Sequence, residues 1–398
     1  MTRNPIKFLE EEYEELRKKD LNWEPYELTG ASGAVSNING IQKIILCSNN
    51  YLGLTTHPKL EAAFIEGVKK YGVGSGAVRP ISGTMDVHVE LEKRLAKFKN
   101  AEASLTYPTG YMVNEGLIPQ LVNEDDVIIS DELNHGSIID GIRLSRAKRY
   151  IYKHNDINDL SNILEKVENI VPSIRRILIL TDGVFSMDGD IAPLDKIAKI
   201  ASKYGSMVYV DDAHGEGVLG DKGKGIVSHY GLNHDDVHVE MGTFSKAYGT
   251  IGGHISGSEW LVKFAWNKSR TWLLSSSHPP AVVMATIAAI DVLEEEPYHV
   301  KKLWENTNSF KNQINELGFN TGNSQTPIIP LIVGEPGKAK KFADELFKSD
   351  IFVVPIIFPM VARELSRIRI QINSQLSLKQ LEIVIENTKK IGKKLGVI

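Results

Sequence analysis

The chain has 398 residues, a formal net charge of −4 and a single cysteine, Cys47. It therefore has no general basic field that would attract nucleic acid or anionic lipid, and it cannot form an intramolecular disulfide bond. A chain of this length suits a large domain joined to a smaller one.

The N-terminal residues 1–19 predict a charged amphipathic helix without the continuous apolar core of a secretion signal or membrane anchor. The longest apolar stretch, residues 279–293, contains Asp291 and is shorter than the ~20 residues that cross a bilayer. It predicts a buried helix that begins at a pair of prolines. Together with the lone cysteine, these features predict a cytoplasmic protein that binds neither nucleic acid nor membrane.

The middle of the chain alternates short β-branched runs with segments of helical periodicity. Because the runs are apolar on both faces, they predict a buried and mostly parallel sheet covered by helices, which is an α/β fold. The predicted strands are residues 126–131, 149–153, 176–183, 207–213 and 237–244.

The pattern changes after about residue 290. A long polar helix is predicted over residues 297–317, and apolar runs over 326–334, 352–359 and 367–373 are mixed with further helices. This mixture predicts a smaller α+β domain. The predicted units are residues 1–55 (N-terminal helix and substrate-site segment), 56–290 (large domain) and 291–398 (C-terminal domain).

Polar residues follow the predicted strands, where ligands of open α/β sheets bind. They are Asp131 and His135, Asp182 and Ser186, Asp211, Asp212 and His214, and Thr243 and Lys246. Other interpretations stay open at this point: a helix that starts at His135, with Asn134 and Ser137 as plausible capping residues, and a metal site over residues 211–216. The glycine-rich stretch at 72–76 follows a predicted helix rather than a strand, so it gives little support to a dinucleotide site.

Lys246 lies among small residues in the stretch EMGTFSKAYGTIGG. A lone lysine is usually solvated, but a desolvated lysine has a lowered pKa and becomes a candidate for Schiff-base formation. Pyridoxal phosphate uses such a lysine, an aspartate at its ring nitrogen and a phosphate cradle. Lys246, Asp211, and Thr243 with the turn PTGYMVNEG offer all three.

Six stretches, in this arrangement along nearly the whole chain, resemble the α-oxoamine synthases: SNNYLGLTTHP, GSGAVRPISGT, DELNHGSIIDGIRLSRAKRY, DDAHGEGVLG, GTFSKAYGTIGG and RIRIQI. These are fold-type I pyridoxal-phosphate enzymes that join an amino acid to an acyl-CoA. The resemblance implies a large domain with a mostly parallel seven-stranded sheet, a smaller α+β C-terminal domain, and a homodimer with its active sites at the interface.

The resemblance also implies residue roles. The catalytic residues would be Lys246, His135 and Asp211, with Lys246 bonded to the cofactor, Asp211 at the ring nitrogen and His135 stacked on the ring. The other implied positions are Ser186 and His214 beside the ring hydroxyl, Gly110, Tyr111 and Thr243 at the phosphate, Ser276 reaching the partner subunit's phosphate site, and Asn49 and Arg369 at the amino-acid carboxylate. No metal is expected.

Two members of the family are indicated by different stretches, and another α-oxoamine synthase, of the aminolevulinate or sphingoid type or of broad specificity, stays open as a further alternative. Residues 134–156 and 367–372 favour glycine C-acetyltransferase, which joins glycine to acetyl-CoA, and this is the first expectation. DDAHGEGVLG and SSSHPP favour 8-amino-7-oxononanoate synthase, which joins alanine to pimeloyl-CoA with loss of carbon dioxide. A noncatalytic partner subunit and a generic nucleotide-binding protein are the alternatives from other classes, and the presence of Lys246 disfavours the former.

Overall fold

The N-terminal segment shares a sheet with the far end of the chain. In the computed structural model, which describes residues 4–19, 21–170 and 174–398, helix α1 (Lys7–Lys18) precedes three antiparallel strands. These are β1 (Leu28–Thr29), β2 (Val35–Ile38) and β3 (Ile41–Ile45). Strand β3 also pairs in parallel with residues 351–352. The predicted domain limits remain predictions, and this pairing ties the first predicted unit to the last.

The large sheet has seven strands, as the resemblance implied. In chain order they are β4 (Ala103–Tyr107), β5 (Val127–Asp131), β6 (Lys148–Tyr152), β7 (Ile177–Asp182), β8 (Met207–Asp211), β9 (Val239–Thr243) and β10 (Gly253–Gly257). Their spatial order is β4-β10-β9-β8-β7-β5-β6, and only β10 runs antiparallel to its neighbours. The five predicted strands are β5 to β9. Strands β4 and β10 had not been predicted.

The inner strands β5 and β7 are apolar over most of their length because both of their faces are covered. Ile128 belongs to the apolar cluster on one side of the sheet and its neighbour Ile129 to the cluster on the other side. Leu178 and Ile179 of the adjacent strand divide in the same way. Alternating side chains of a strand point to opposite faces, so a strand buried on both sides has no polar alternation.

Ten helices surround or connect the strands of the large sheet in the described ranges: α2 (Pro58–Tyr71), α3 (Asp86–Lys99), α4 (Gly110–Leu121), α5 (Gly136–Leu144), α6 (Ile157–Ile170), α7 (Leu194–Lys203), α8 (Ile226–His229), α9 (Glu259–Lys268), α10 (Arg270–Leu274) and α11 (Pro280–Glu295). The predicted buried helix over 279–293 is α11. No helix in the part of the chain that the structure describes has both the length and the apolarity needed to cross a membrane.

The C-terminal part is α+β, as predicted. It comprises α12 (Tyr298–Glu316), β11 (Ile328–Gly334), α13 (Pro336–Lys348), β12 (Ile351–Phe352), β13 (Pro355–Ile356), β14 (Ser366–Gln371) and α14 (Leu378–Lys394). Strand β14 lies between β11 and β13 in an antiparallel sheet. The apolar run 352–359 contributes to two short strands in different sheets instead of one. Proline lacks the N–H that a continuous ladder needs, which explains the interruption near Pro355.

Candidate active site

A cavity of about 250 Å³ lies at the carboxyl ends of β5, β7, β8 and β9. The side-by-side order of these strands brings the residues that follow them to one edge of the sheet. Eight residues predicted from the sequence line this cavity: Gly110, Tyr111, His135, Ser186, Asp211, His214, Thr243 and Lys246. The structure therefore brings together all the predicted cofactor residues except Ser276.

Lys246 reaches this cavity from the turn after β9. Burial lowers the pKa of its amine to about 8, although the negative charges of Asp211 and Asp182 oppose the shift. The lysine therefore loses its proton far more readily than a solvated lysine. A neutral amine at near-neutral pH is the form that can attack a carbonyl or accept a proton.

The Asp211 carboxylate is held on both oxygens. Its Oδ2 accepts a hydrogen bond of 2.7 Å from Asn114 Nδ2, and its Oδ1 accepts one of 3.1 Å from the backbone N–H of Ala213. The residue is 4% exposed. This fixed carboxylate suits a protonated ring nitrogen, because a charged pair in a dry site needs preorganised geometry.

Asn114, on α4, was missed by the sequence interpretation. It is fully buried, and besides Asp211 its Nδ2 donates to Ser137 Oγ at 2.8 Å. Its Oδ1 accepts from the Tyr209 hydroxyl at 2.6 Å. Ser137 Oγ lies 2.7 Å from His135 Nδ1, so one amide supports the aspartate and the histidine together. A single asparagine inside a helix carries no local signal of such a role.

His135 begins helix α5. Its Nδ1 accepts from the Ser137 N–H at 3.3 Å, so a helix does start here, but the cap is His135 itself and not Asn134 or Ser137. This role is compatible with a position in the cavity. Burial lowers the pKa of the imidazole, which favours the uncharged ring. The His135 backbone N–H donates to Asp182 Oδ2 at 3.0 Å. Burial, reinforced by the charge of Asp211, raises the pKa of Asp182 well above its usual range.

The start of α4 forms a cradle for an anion. Thr109 caps the helix by accepting from Met112 N at 3.2 Å, and the first N–H groups of a helix have no intrahelical partner. A Cβ on Gly110 would come within 3.1 Å of Thr243 Oγ1 and 3.0 Å of the Met241 methyl group. Backbone and threonine hydroxyl thus approach as closely as glycine permits. The free N–H groups at the helix start fit a phosphate, and Thr243 Oγ1, which donates to Gly252 O at 2.7 Å, lies beside them.

The predicted substrate residues lie beside the cavity, outside its lining. Arg369 Nη1 donates to the backbone oxygen of Ser186 at 3.0 Å, and burial lowers the pKa of the guanidinium. Asn49 is half-buried and its Oδ1 accepts from Gln371 Nε2. Ser276 is exposed and pairs with Val78 in an isolated bridge. Its assignment to the partner subunit's phosphate site stays a prediction.

Two carboxylates in and beside the stretch considered as a metal site are paired with cationic or imidazole groups of the protein itself. Asp212, Glu216 and Glu240 converge, but Lys99 Nζ lies 2.8 Å from Glu216 Oε1 and 2.5 Å from Glu240 Oε1. His254 Nε2 lies 2.9 Å from Glu216 on the other side. Since an ammonium and an imidazole already fill this space, the cluster is a buried ion network beneath β9.

Comparison with known proteins identifies the family. Residues 41–387 match the sequence profile of the family described as aminotransferase class I and II. The chain belongs to this family. Its members include pyridoxal-phosphate enzymes, and the lysine, aspartate and phosphate cradle described above fit that cofactor in this chain.

Three individual proteins refine the assignment. The chain is 47% identical over 391 residues to an 8-amino-7-oxononanoate synthase from Symbiobacterium thermophilum, covering 98% of this chain and 99% of the relative. It is also 47% identical over 393 residues to an 8-amino-7-oxononanoate synthase from Fervidobacterium nodosum, covering 98% and 99%. Among solved structures, a serine palmitoyltransferase from S. paucimobilis superposes with a TM-score of 0.92 at 27% identity over 100% of both chains. The family member described here is a fold-type I, pyridoxal-phosphate-dependent acyltransferase of the α-oxoamine synthase type, which condenses an amino acid with an acyl-CoA.

Proposed function

We propose that this family member joins alanine to pimeloyl-CoA and forms 8-amino-7-oxononanoate. The observation that carries the proposal is the name shared by the two relatives that are 47% identical over their whole length. They support the second of the two activities that the sequence indicated, and not glycine C-acetyltransferase. In the reaction, a carbon–carbon bond forms between alanine Cα and the thioester carbonyl, CoA leaves as the thiol, and the alanine carboxylate leaves as carbon dioxide.

The residues of the cavity divide this work. When bound, pyridoxal phosphate withdraws electrons from the amino-acid Cα. The Lys246 amine, with its pKa lowered to about 8, is suited to take the proton from Cα and to return one after the carboxylate has left. Asp211, held by Asn114 and Ala213, would keep the ring nitrogen protonated.

Substrate orientation would come from residues beside the cavity. Arg369 and Asn49 are proposed to hold the alanine carboxylate until it is released, since a guanidinium can make paired contacts with a carboxylate. His214 and Ser186 line the cavity and would contact the ring hydroxyl. His135 would lie on the ring face. Together these side chains would limit the access of water to the substrate Cα.

We also propose that the enzyme is a homodimer. The exposed Ser276 would complete the phosphate cradle of the partner subunit, and its absence from the cavity of its own chain supports that role. The cytoplasmic location inferred from the sequence remains a prediction.

A substrate matrix tests the proposal. Purified holoenzyme is assayed with glycine, alanine and serine against acetyl-, succinyl-, pimeloyl- and palmitoyl-CoA, and both thiol and carbon dioxide release are measured. We expect the highest kcat/KM for alanine with pimeloyl-CoA, with one carbon dioxide released for each thiol. Preference for glycine with acetyl-CoA without carbon dioxide would overturn the proposal, and so would comparable rates across several rows of the matrix.

A further inference from the structure

Gln371, the last residue of β14, lies between Asn49, a predicted substrate residue, and the Tyr51 hydroxyl. Its side chain is fully buried, and its Nε2 donates to Asn49 Oδ1 and, at 3.3 Å, to the Tyr51 hydroxyl. The Tyr51 hydroxyl is in turn 2.8 Å from His214 Nδ1. One amide group therefore contacts a predicted substrate residue directly and a predicted cofactor residue through one tyrosine.

The protonation of Tyr51 and His214 indicates which group donates in each hydrogen bond between Gln371 and His214. Burial raises the pKa of Tyr51 to about 12, so the phenol keeps its proton. Burial also lowers the pKa of His214 well below its usual value, so the ring is neutral and has one N–H. Because the Tyr51 oxygen accepts from Gln371, its own proton is free to be donated to His214 Nδ1. The remaining nitrogen, Nε2, then carries the hydrogen of His214.

The second hydrogen of the Gln371 amide orients Asn49. With Oδ1 of Asn49 occupied as an acceptor, the two amide hydrogens of Asn49 remain as donors. A carboxylate needs donors, so this orientation is the productive one for binding an amino acid. The reversed amide would present an oxygen to a negative charge, which is repulsive.

Backbone contacts hold residues 46–51 against the C-terminal stretch independently of the Gln371 side chain. The Gln371 N–H donates to Leu46 O at 2.8 Å, and the Ser374 N–H donates to Tyr51 O at 2.8 Å. Loss of the Gln371 amide would therefore leave the strand and the segment in contact. Its contribution lies in the orientation of two side chains rather than in joining the domains.

We propose that Gln371 is a positioning residue that couples recognition of the amino-acid α-carboxylate to the ring-hydroxyl side of the cofactor. It does so by orienting the Asn49 amide and, through Tyr51, by fixing the tautomer of His214. The proposal rests on the proposed roles of Asn49 and His214, and it is independent of which amino acid the enzyme prefers.

The first test measures amino-acid binding to holoenzyme from the visible absorption of the bound cofactor, without acyl-CoA. Gln371→Met keeps the length of the side chain and removes both donors. We expect its dissociation constants for alanine, glycine and serine to rise together by about tenfold, the effect of one lost buried hydrogen bond, with an unchanged KM for acyl-CoA. Because the three amino acids share the carboxylate, a failed substrate matrix would leave this result unaffected.

Gln375→Met is the matched control. Gln375 also connects the C-terminal stretch to the N-terminal part of the chain. Its side-chain hydrogen bonds go only to backbone atoms: its Nε2 donates to Gly53 O (2.9 Å), and its Oε1 accepts from Ala34 N (3.4 Å). We expect this variant to bind all three amino acids as the parent does, even if it is less stable. Equal losses of amino-acid affinity in the two variants would show a merely structural effect and overturn the proposal.

The second test separates the effect of Gln371 through Asn49 from its effect through Tyr51 on His214. In an Asn49→Ala background, Gln371→Met should cause no further loss of amino-acid affinity, because its effect acts through Asn49. Tyr51→Phe and Gln371→Met should both shift the pH titration of the cofactor's visible absorption, and Gln375→Met should not. A full tenfold loss in the Asn49→Ala background, or an unshifted titration in both Tyr51→Phe and Gln371→Met, would refute the coupling.

Discussion

Replacing Asn114 by alanine should impair the cofactor site without direct contact with the amino acid. The substitution removes the 2.7 Å donor to Asp211 and the 2.8 Å donor to Ser137, and it leaves the Tyr209 hydroxyl without its acceptor. Asp211 would then rely on the Ala213 N–H alone. We expect weaker binding of pyridoxal phosphate and slower proton removal from the amino acid.

The size of the effect follows from the kind of bond that is lost. A hydrogen bond to a charged group contributes about 1.5–3 kcal/mol, which corresponds to roughly a 10- to 100-fold change in an equilibrium or rate constant. We assign this range to the bond between Asn114 and Asp211. The unpaired Tyr209 hydroxyl should additionally lower the free energy of unfolding by about 1–3 kcal/mol.

The assay separates the two effects by using a second buried asparagine. Asn306 is also fully buried, and its Nδ2 donates to the backbone oxygens of Asn373 and Leu376 at 3.0 and 2.9 Å. Asn114→Ala and Asn306→Ala should both lower the midpoint of thermal unfolding of the apoprotein. Only Asn114→Ala should weaken cofactor binding, measured by titration of the apoprotein, and slow the exchange of the amino-acid Cα hydrogen with deuterium.

One result would refute this reasoning. If Asn114→Ala binds pyridoxal phosphate and exchanges the Cα hydrogen within twofold of the parent, the amide does not support Asp211 in the working enzyme. Equal losses in both variants would point to general destabilisation instead.

Three further predictions concern Lys246, the phosphate cradle and the buried ion network around Lys99. The rate at which apoprotein captures pyridoxal phosphate, relative to a free amine of known pKa, should rise with pH up to about 8 and then level off, because burial lowers the pKa of Lys246 to about 8 and only the neutral amine reacts. The Lys246→Ala variant should capture none. A rate that continues to increase up to pH 10 would contradict the lowered pKa. Gly110→Ala should weaken phosphate and cofactor binding by about tenfold, since its Cβ would lie 3.1 Å from Thr243 Oγ1. Gly136→Ala, at the start of α5, should not, because a Cβ there would meet no atom within 4 Å among the described residues. Equal affinities of the two variants, measured by calorimetry, would argue against the cradle. Lys99→Met should lower the free energy of unfolding in urea by about 3–5 kcal/mol because it leaves the buried carboxylates of Glu216 and Glu240 without their ammonium. A change below about 1 kcal/mol would show that these carboxylates are protonated or solvated.

The amino-acid sequence by itself determined the α/β fold, the family and the edge of the sheet where the site lies. Each of these depends on local patterns: the apolar runs of β5 to β9, and the polar residues that follow them, such as Asp211 and Lys246. Parallel strands buried on both faces are mostly apolar, and their carboxyl ends meet at one edge. The sequence missed β10, whose glycine-containing run GHISG lacks the strong strand propensity of the other strands.

Only the tertiary structure decided which residues orient the chemical groups. Asn114 is separated from Asp211 by 97 positions, and Gln371 from Asn49 by 322, so no periodicity or spacing could connect them. The substrate choice was also beyond the local patterns, because different stretches favoured different members of the family. Hydrogen bonds between side chains distant in sequence form only when packing brings buried donors and acceptors together, and burial then makes each of them costly to leave unpaired.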